Sequence, residues 1–140
     1  MPLLLHTGVS SLEGDERPYP EQYEVPRATA AAVTATRHNG GRVIAIGTTV
    51  VRALATVTDD RGGVHPGRGW TDVMVTADTP VHSIDGLVTG WHEPESTHLM
   101  MLESFAGRDA LAAAYTAALD GGYLWHEFGD SHLILRREAT

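Results

Sequence analysis

The stretch RVIAIGTTVVRAL, Arg42 to Leu54, constrains the fold more than any other. RVIAI reads as a buried strand, because a continuous apolar run leaves no polar face to turn toward water. Gly47-Thr48-Thr49 follows, and Val50, Leu54 and Val57 then recur at i, i+4 and i+7, the spacing of one helix face. A buried strand ending in a glycine turn at a helix start is where open α/β sheets and barrels bind ligands. Neither phosphate fingerprint fits, since no Gly-Lys-Ser/Thr follows and the G-x-G-x-x-G spacing is missing. Arg52 falls in an otherwise apolar helix turn. It reads either as a salt-bridged arginine at the core edge or as a clamp for a carboxylate.

The remaining chain continues the alternation. Leu3–Thr7 reads as a short buried strand followed by a Gly-Ser turn, and Gly14–Pro26, with three prolines, as an extended loop. ATAAAVTATRHNGG predicts a helix with Pro26 in its first turn, Ala30, Val33 and Arg37 on one face, and Asn39-Gly40-Gly41 as its stop. Thr58–Gly69 reads as a loop, and Thr71–Thr76 and Gly86–Trp91 as strands. Leu99, Leu102, Phe105 and Ala106 form one helical stripe; Leu111, Tyr115, Ala118 and Leu119 form another, ended by Gly121-Gly122. His132–Arg136 reads as a last strand. Strands alternating with helices predict an α/β fold, either partly barrel-like or a mostly parallel sheet flanked by helices. A length of 140 residues suits a single domain over 1–140.

Composition narrows the function classes. The net charge is −8, and all ten cations are arginines. That acidity argues against a broad phosphate-binding face, which draws on clustered Lys and Arg, and leaves room for a local arginine patch. With no cysteine there is no disulfide, thiolate zinc site or cysteine nucleophile. No apolar stretch approaches bilayer length and the opening MPLLLHTGVS lacks a basic leader, so the expected location is cytoplasmic, away from membranes.

TGWHEPESTHLMM, Thr89 to Met101, tips a polar cluster onto an apolar helix. His92-Glu93 begins the zinc-protease pattern H-E-x-x-H, but position 96 is Ser96 and Pro94 would break the helix that pattern needs. Ser96 or Thr97 can cap the helix carrying Leu99 and Leu102. A helix start also gathers free N–H groups that hold an anion. A ligand-facing turn and a structural cap both remain open, and capping accounts for neither Trp91 nor His92. In WHEFGDSHLIL, His126, Asp130 and His132 could act as mixed metal donors, yet Asp130 after Gly129 suits a turn whose side chain bonds the backbone, so no metal is expected. GVSSL lacks the second glycine of a serine-hydrolase elbow.

Four stretches in order resemble one family, the S-adenosylmethionine:tRNA ribosyltransferase-isomerases of queuosine biosynthesis. LLLHTGVSSLE is similar to L-H-V-G-x-G-T-F, and RVIAIGTTVVRAL to R-V-I-A-V-G-T-T-S-V-R-x-L. GLVTGWHEPESTHLMMLESFAG is similar to L-V-T-N-F-H-L-P-x-S-T-L-L-M-L-V-x-A-F-A-G, and GYLWHEFGDSHLIL to Y-x-F-x-S-Y-G-D-A-M-x-I. The chain resembles the C-terminal part of the catalytic domain, without the family's N-terminal half or its β-rich insert. Within the resemblance, Ser10-Ser11-Leu12 replaces Gly-Thr-Phe, Gly90 replaces Asn, Glu93 replaces Leu, and Glu95 falls where a basic residue is common.

The resemblance implies transfer and isomerisation of the ribosyl moiety of S-adenosylmethionine onto a 7-aminomethyl-7-deazaguanine base in tRNA, with loss of adenine and methionine and formation of epoxyqueuosine. S-adenosylmethionine is then a co-substrate with no separate cofactor, and tRNA a partner. The sulfonium acidifies the neighbouring ribose C5′ protons, so a positioned base can start the reaction without metal or redox chemistry. The resemblance assigns His6, Gly8, Gly47, Thr48, Thr49, Arg52, His92, Pro94, Ser96, Thr97, Gly129 and Asp130 to the site. On that assignment His92 or Asp130 moves the proton, Thr48/Thr49 and Ser96/Thr97 hold ligand, and Arg52 meets an anion. Two alternatives stand beside it: a relative acting on a small molecule, and a ligand-binding homologue without turnover that completes a half-barrel as a homodimer.

Overall fold

The computed structural model describes residues 1–7, 17, 19–93 and 96–136. Two three-stranded sheets pack around shared helices. The first holds β1 (Leu4–His6), β2 (Glu21–Val25) and β4 (Gly67–Thr71), in the order β1-β2-β4 and antiparallel throughout. The second holds β3 (Ile44–Ile46), β5 (Gly86–Gly90) and β6 (Ser131–Leu135), with β3 parallel and β6 antiparallel to β5. Helices α1 (Arg27–His38), α2 (Thr48–Val57), α3 (Thr97–Ala106) and α4 (Arg108–Asp120) complete the structure, with a 3-10 turn at His126–Phe128.

The α/β class stands, whereas a mostly parallel sheet does not: among the described strands only β3 and β5 run parallel. Parallel strands need a crossover, and α2 lies on the one from β3 toward β5.

Two local expectations change for identifiable reasons. The proline-rich segment expected as loop contains β2, where Glu21, Tyr23 and Val25 alternate inward against exposed Gln22 and Glu24. Pro20 and Pro26 stand just outside this strand, at positions that need no ladder N–H. Conversely, residues 72–76, expected as strand, are irregular. Val75 is buried as the apolar alternation implies, but the carbonyls of Thr71 and Val73 accept bonds from the Arg52 guanidinium. A side chain satisfies part of that backbone in place of a neighbouring strand.

One apolar cluster joins both sheets: Tyr23 and Val25 of β2, Val51 and Leu54 of α2, Leu87 of β5, and Leu102 and Phe105 of α3. α2 touches β2, β3, β4 and β5, so it fixes how the two sheets meet. Among the described residues, no helix is long and apolar enough to cross a membrane.

Candidate functional site

The candidate polar residues gather at the C-terminal ends of β3 and β5. Gly47 leaves β3 with φ +95°, a conformation that L side chains rarely adopt, and its N–H donates to Val88 O at 2.9 Å. The chain thereby turns into α2, placing Thr48 and Thr49 in its first turn. Thr49 is buried, and its hydroxyl donates to Glu21 Oε1 at 3.2 Å. Glu21 Oε2 takes the Arg52 Nη1 at 2.6 Å. The rest of that guanidinium is engaged as well, Nε with Val73 O, and Nη2 with Tyr19 O and Thr71 O. Arg52 therefore joins α2, β2 and the end of β4, and its reading as a salt-bridged arginine at the core edge describes what it touches.

At the end of β5 the histidines gather. His92 is buried, and its Nε2 shares a 2.8 Å hydrogen bond with the Thr89 hydroxyl. Its backbone is clasped by Tyr115 of α4, whose hydroxyl accepts from His92 N–H and donates to His92 O, both at 3.0 Å. The His98 ring stacks on His92 with centroids 4.3 Å apart, and His126 lies tilted at 4.9 Å. Trp91 packs against His132 and, edge-on, against Tyr115. His98 feels the charges of both Glu21 and Arg52, so the α2 group and the histidine group are electrostatic neighbours.

Burial, then the neighbouring histidines, push His92 down to about 3 from the ordinary 6.5. Burial also lowers His98, where His126 and Arg52 reinforce the shift and Glu21 opposes it, and it lowers His132. These imidazoles are therefore neutral near pH 7. Between about pH 6.5 and 3 the unfolded chain binds protons that the folded chain refuses. Stability should be full above pH 6.5 and fall steadily as the pH drops toward 3. Urea midpoints measured across that range test this, and His92→Gln should flatten the decline.

Gly90 makes this arrangement sterically possible. A Cβ at that position would lie 2.2 Å from His126 Cβ and 2.9 Å from its Cα. The His126 N–H donates to Trp91 O at 2.9 Å, holding the 3-10 turn onto the strand end. Gly90→Asn, which installs the residue of the resembled pattern, should displace that turn and cost about 1–3 kcal/mol. Thermal unfolding and the loss of ring contact between His92 and His126 in NMR would record it.

The remaining candidates divide. Gly129, at φ +93°, ends the 3-10 turn, and Asp130 Oδ2 accepts the Leu124 N–H at 2.6 Å, so both shape the loop that carries His126. Asp130 thus takes the turn role weighed from the sequence. Thr97 is buried at the start of α3. Ser96 occupies the N-cap position, but the expected side-chain cap is not formed: its Oγ is buried without a hydrogen-bond partner among the described residues, as are Trp91 Nε1 and His132 Nε2. An unpartnered buried hydroxyl at a helix start leaves both itself and the first-turn N–H groups open to a ligand. His6 ends β1 opposite Gln22, and no hydrogen bond, ion pair or ring contact joins it to the histidines among the described residues. Gly8 and Pro94 lie outside the described residues.

Sequence reasoning passed over Glu21, Thr89, His98 and Tyr115. His98 looked like part of an apolar helix and Glu21 like part of a loop. The available signal was the unusual number of histidines, eight in 140 residues, several of them within reach of TGWHEPESTHLMM.

The fold and the strand-end cluster define an α/β protein with its polar groups gathered where strands turn into helices. The family model described as queuosine biosynthesis protein matches residues 1–134. The S-adenosylmethionine:tRNA ribosyltransferase-isomerase of Natranaerobius thermophilus is 40% identical over 139 residues, covering 94% of this chain and 40% of that protein. The enzyme of the same name from Moorella thermoacetica is 41% identical over 140 residues, covering 95% and 41%. A crystal structure of S-adenosylmethionine tRNA ribosyltransferase from Thermotoga maritima superposes with a TM-score of 0.71 at 39% identity, covering 82% of this chain and 41% of that one. The chain belongs to the queuosine biosynthesis protein family. It spans about 40% of the length of the relatives it matches.

Proposed function

We propose that this chain carries part of an S-adenosylmethionine site for ribosyl transfer and isomerisation onto a deazaguanine base in tRNA, with epoxyqueuosine as product. The observation that carries the reading is the position of His92: buried at the exit of β5, held through Thr89 and Tyr115, and neutral near pH 7. In the tautomer whose Nε2–H donates to Thr89, Nδ1 carries the lone pair that would accept a ribose C5′ proton acidified by the sulfonium. A carboxylate brought alongside, such as that of the methionine moiety, raises the proton affinity that burial has lowered. The unpartnered Ser96 hydroxyl and the start of α3 suit that carboxylate. Thr48 and Thr49 line the neighbouring strand exit. Asp130 acts through the loop it closes, and Arg52 through the Glu21 it holds.

Purified chain incubated with S-adenosylmethionine and tRNA bearing 7-aminomethyl-7-deazaguanine should release adenine, read by chromatography, only when the tRNA is present. The net charge of −8 favours a second reading in which the acceptor is a small molecule. A gel shift at low salt separates the two, since absence of tRNA binding rejects the first and leaves the second.

A further inference from the structure

Position 98 sets this chain apart within the resembled pattern. Where that pattern runs S-T-L-L-M, the chain reads Ser96-Thr97-His98-Leu99-Met100, and Gly90 stands in place of Asn two residues before His92. Both changes reach the same imidazole. His98 lies in the first turn of α3, and its ring stacks 4.3 Å from the His92 ring, 26° from parallel. Gly90 clears the space beneath His126, whose ring lies 4.9 Å from His92 at 38°. Among the described residues no ring contact joins His98 to His126, so the two flank His92 from different sides.

The other contacts of His92 leave its ring underdetermined. Tyr115 holds only the backbone, and Thr89 bonds one nitrogen, Nε2. The torsion that turns an imidazole is broad, so one bonded nitrogen lets the ring rock. A leucine at 98 fills space, whereas an imidazole adds a flat face parallel to the one it restrains. That face is neutral near pH 7, and charge around it disfavours a proton. The free N–H groups at the start of α3 repel a cation in its first turn. Arg52 of α2 and His126, itself 3.4 Å from Glu127, also oppose one, and Glu21 of β2 favours it. His132 of β6 acts on His92 instead, and Tyr115 of α4 stays uncharged in acid. His98 is half-buried, so a protonated ring can turn to water and leave the stack.

We propose that His98 is a positioning residue for His92: its neutral ring holds the His92 imidazole on Thr89, and a proton on His98 releases that hold. Its use in catalysis rests on His92 accepting the C5′ proton as proposed above, whereas the hold itself does not.

Imidazole NMR of the folded chain at pH 7 tests this. The His92 Nε2–H bonded to Thr89 gives a signal whose exchange with water reads the hold. His98→Leu, which restores the residue of the resembled pattern, should speed that exchange about 2–10-fold, the worth of one aromatic pair. His98→Phe keeps a flat ring and should restore the parent rate. As the pH falls through the His98 titration, exchange should quicken in the parent relative to His98→Phe at the same pH, with amide spectra showing both folded. An unchanged rate in His98→Leu, or no rescue by His98→Phe, would overturn the proposal. So would parent and His98→Phe rates that stay equal through that titration, or a His92 ring without Nε2–H at pH 7. Adenine release separates the two readings. A rate indifferent to His92→Ala removes the proton acceptor and leaves the hold standing; a rate that needs His92, with exchange indifferent to residue 98, does the reverse.

Discussion

Arg52→Ala is expected to lower the unfolding free energy by about 3–5 kcal/mol, the cost of leaving a buried charge without its partner. The truncation strands the Glu21 carboxylate in the core and removes the donors that serve Tyr19 O, Thr71 O and Val73 O. Urea denaturation with unchanged slope would measure it. Arg52→Lys should recover only part of the loss, because one ammonium cannot reach a carboxylate and three carbonyls in the geometry of a planar fork. A loss below about 1 kcal/mol would mean that the pair is as weak as a surface ion pair.

The second large effect concerns chemistry. If His92 moves the proton, His92→Ala should reduce adenine release by about 10²–10⁴-fold, the usual contribution of a positioned general base. Asp130→Asn keeps an acceptor for the Leu124 N–H and should reduce the rate far less. The fold of the His92 variant is checked by circular dichroism, since Tyr115 binds the backbone of His92 rather than its ring. Equal rates for His92→Ala and the parent chain would remove the histidine from the reaction.

Much of the fold was legible because its signals are local. RVIAI and GTTVVRAL specify a strand, a turn and a helix through apolar patterning and one glycine, and β3, Gly47 and α2 stand at those places. β3 nevertheless buries only Ala45 and leaves Ile44 and Ile46 exposed where a buried strand was expected. β2 and the irregular 72–76 segment were not legible, because long-range partners decide them. Glu21 becomes a buried strand residue only when Arg52 and Thr49 arrive from α2, and Val73 stays out of a ladder because that same arginine takes its carbonyl. The candidate site divides in the same way. Thr49 and His92 were visible at strand exits, whereas His98 acquires its meaning only by stacking on His92, six residues earlier, across the start of α3.

Antiparallel pairing escaped sequence reasoning for a related reason. Both β5 and β6 are apolar enough for either direction, and the close fit of His126 over Gly90, invisible in one dimension, accompanies β6 returning beside β5. The prolines around β2 likewise signal a loop until one sees that they flank the strand without entering it.

The central claim is that groups at the exits of β3 and β5 form one binding site for a sulfonium nucleoside. The most direct measurement is an NMR titration of the folded chain with S-adenosylmethionine, following the imidazole signals of His92, His98 and His126 together with the Thr49 amide. All four signals are expected to shift along one saturation curve. Shifts confined to the open groove between β1 and β3, or none at these groups while the protein stays folded, would contradict the claim.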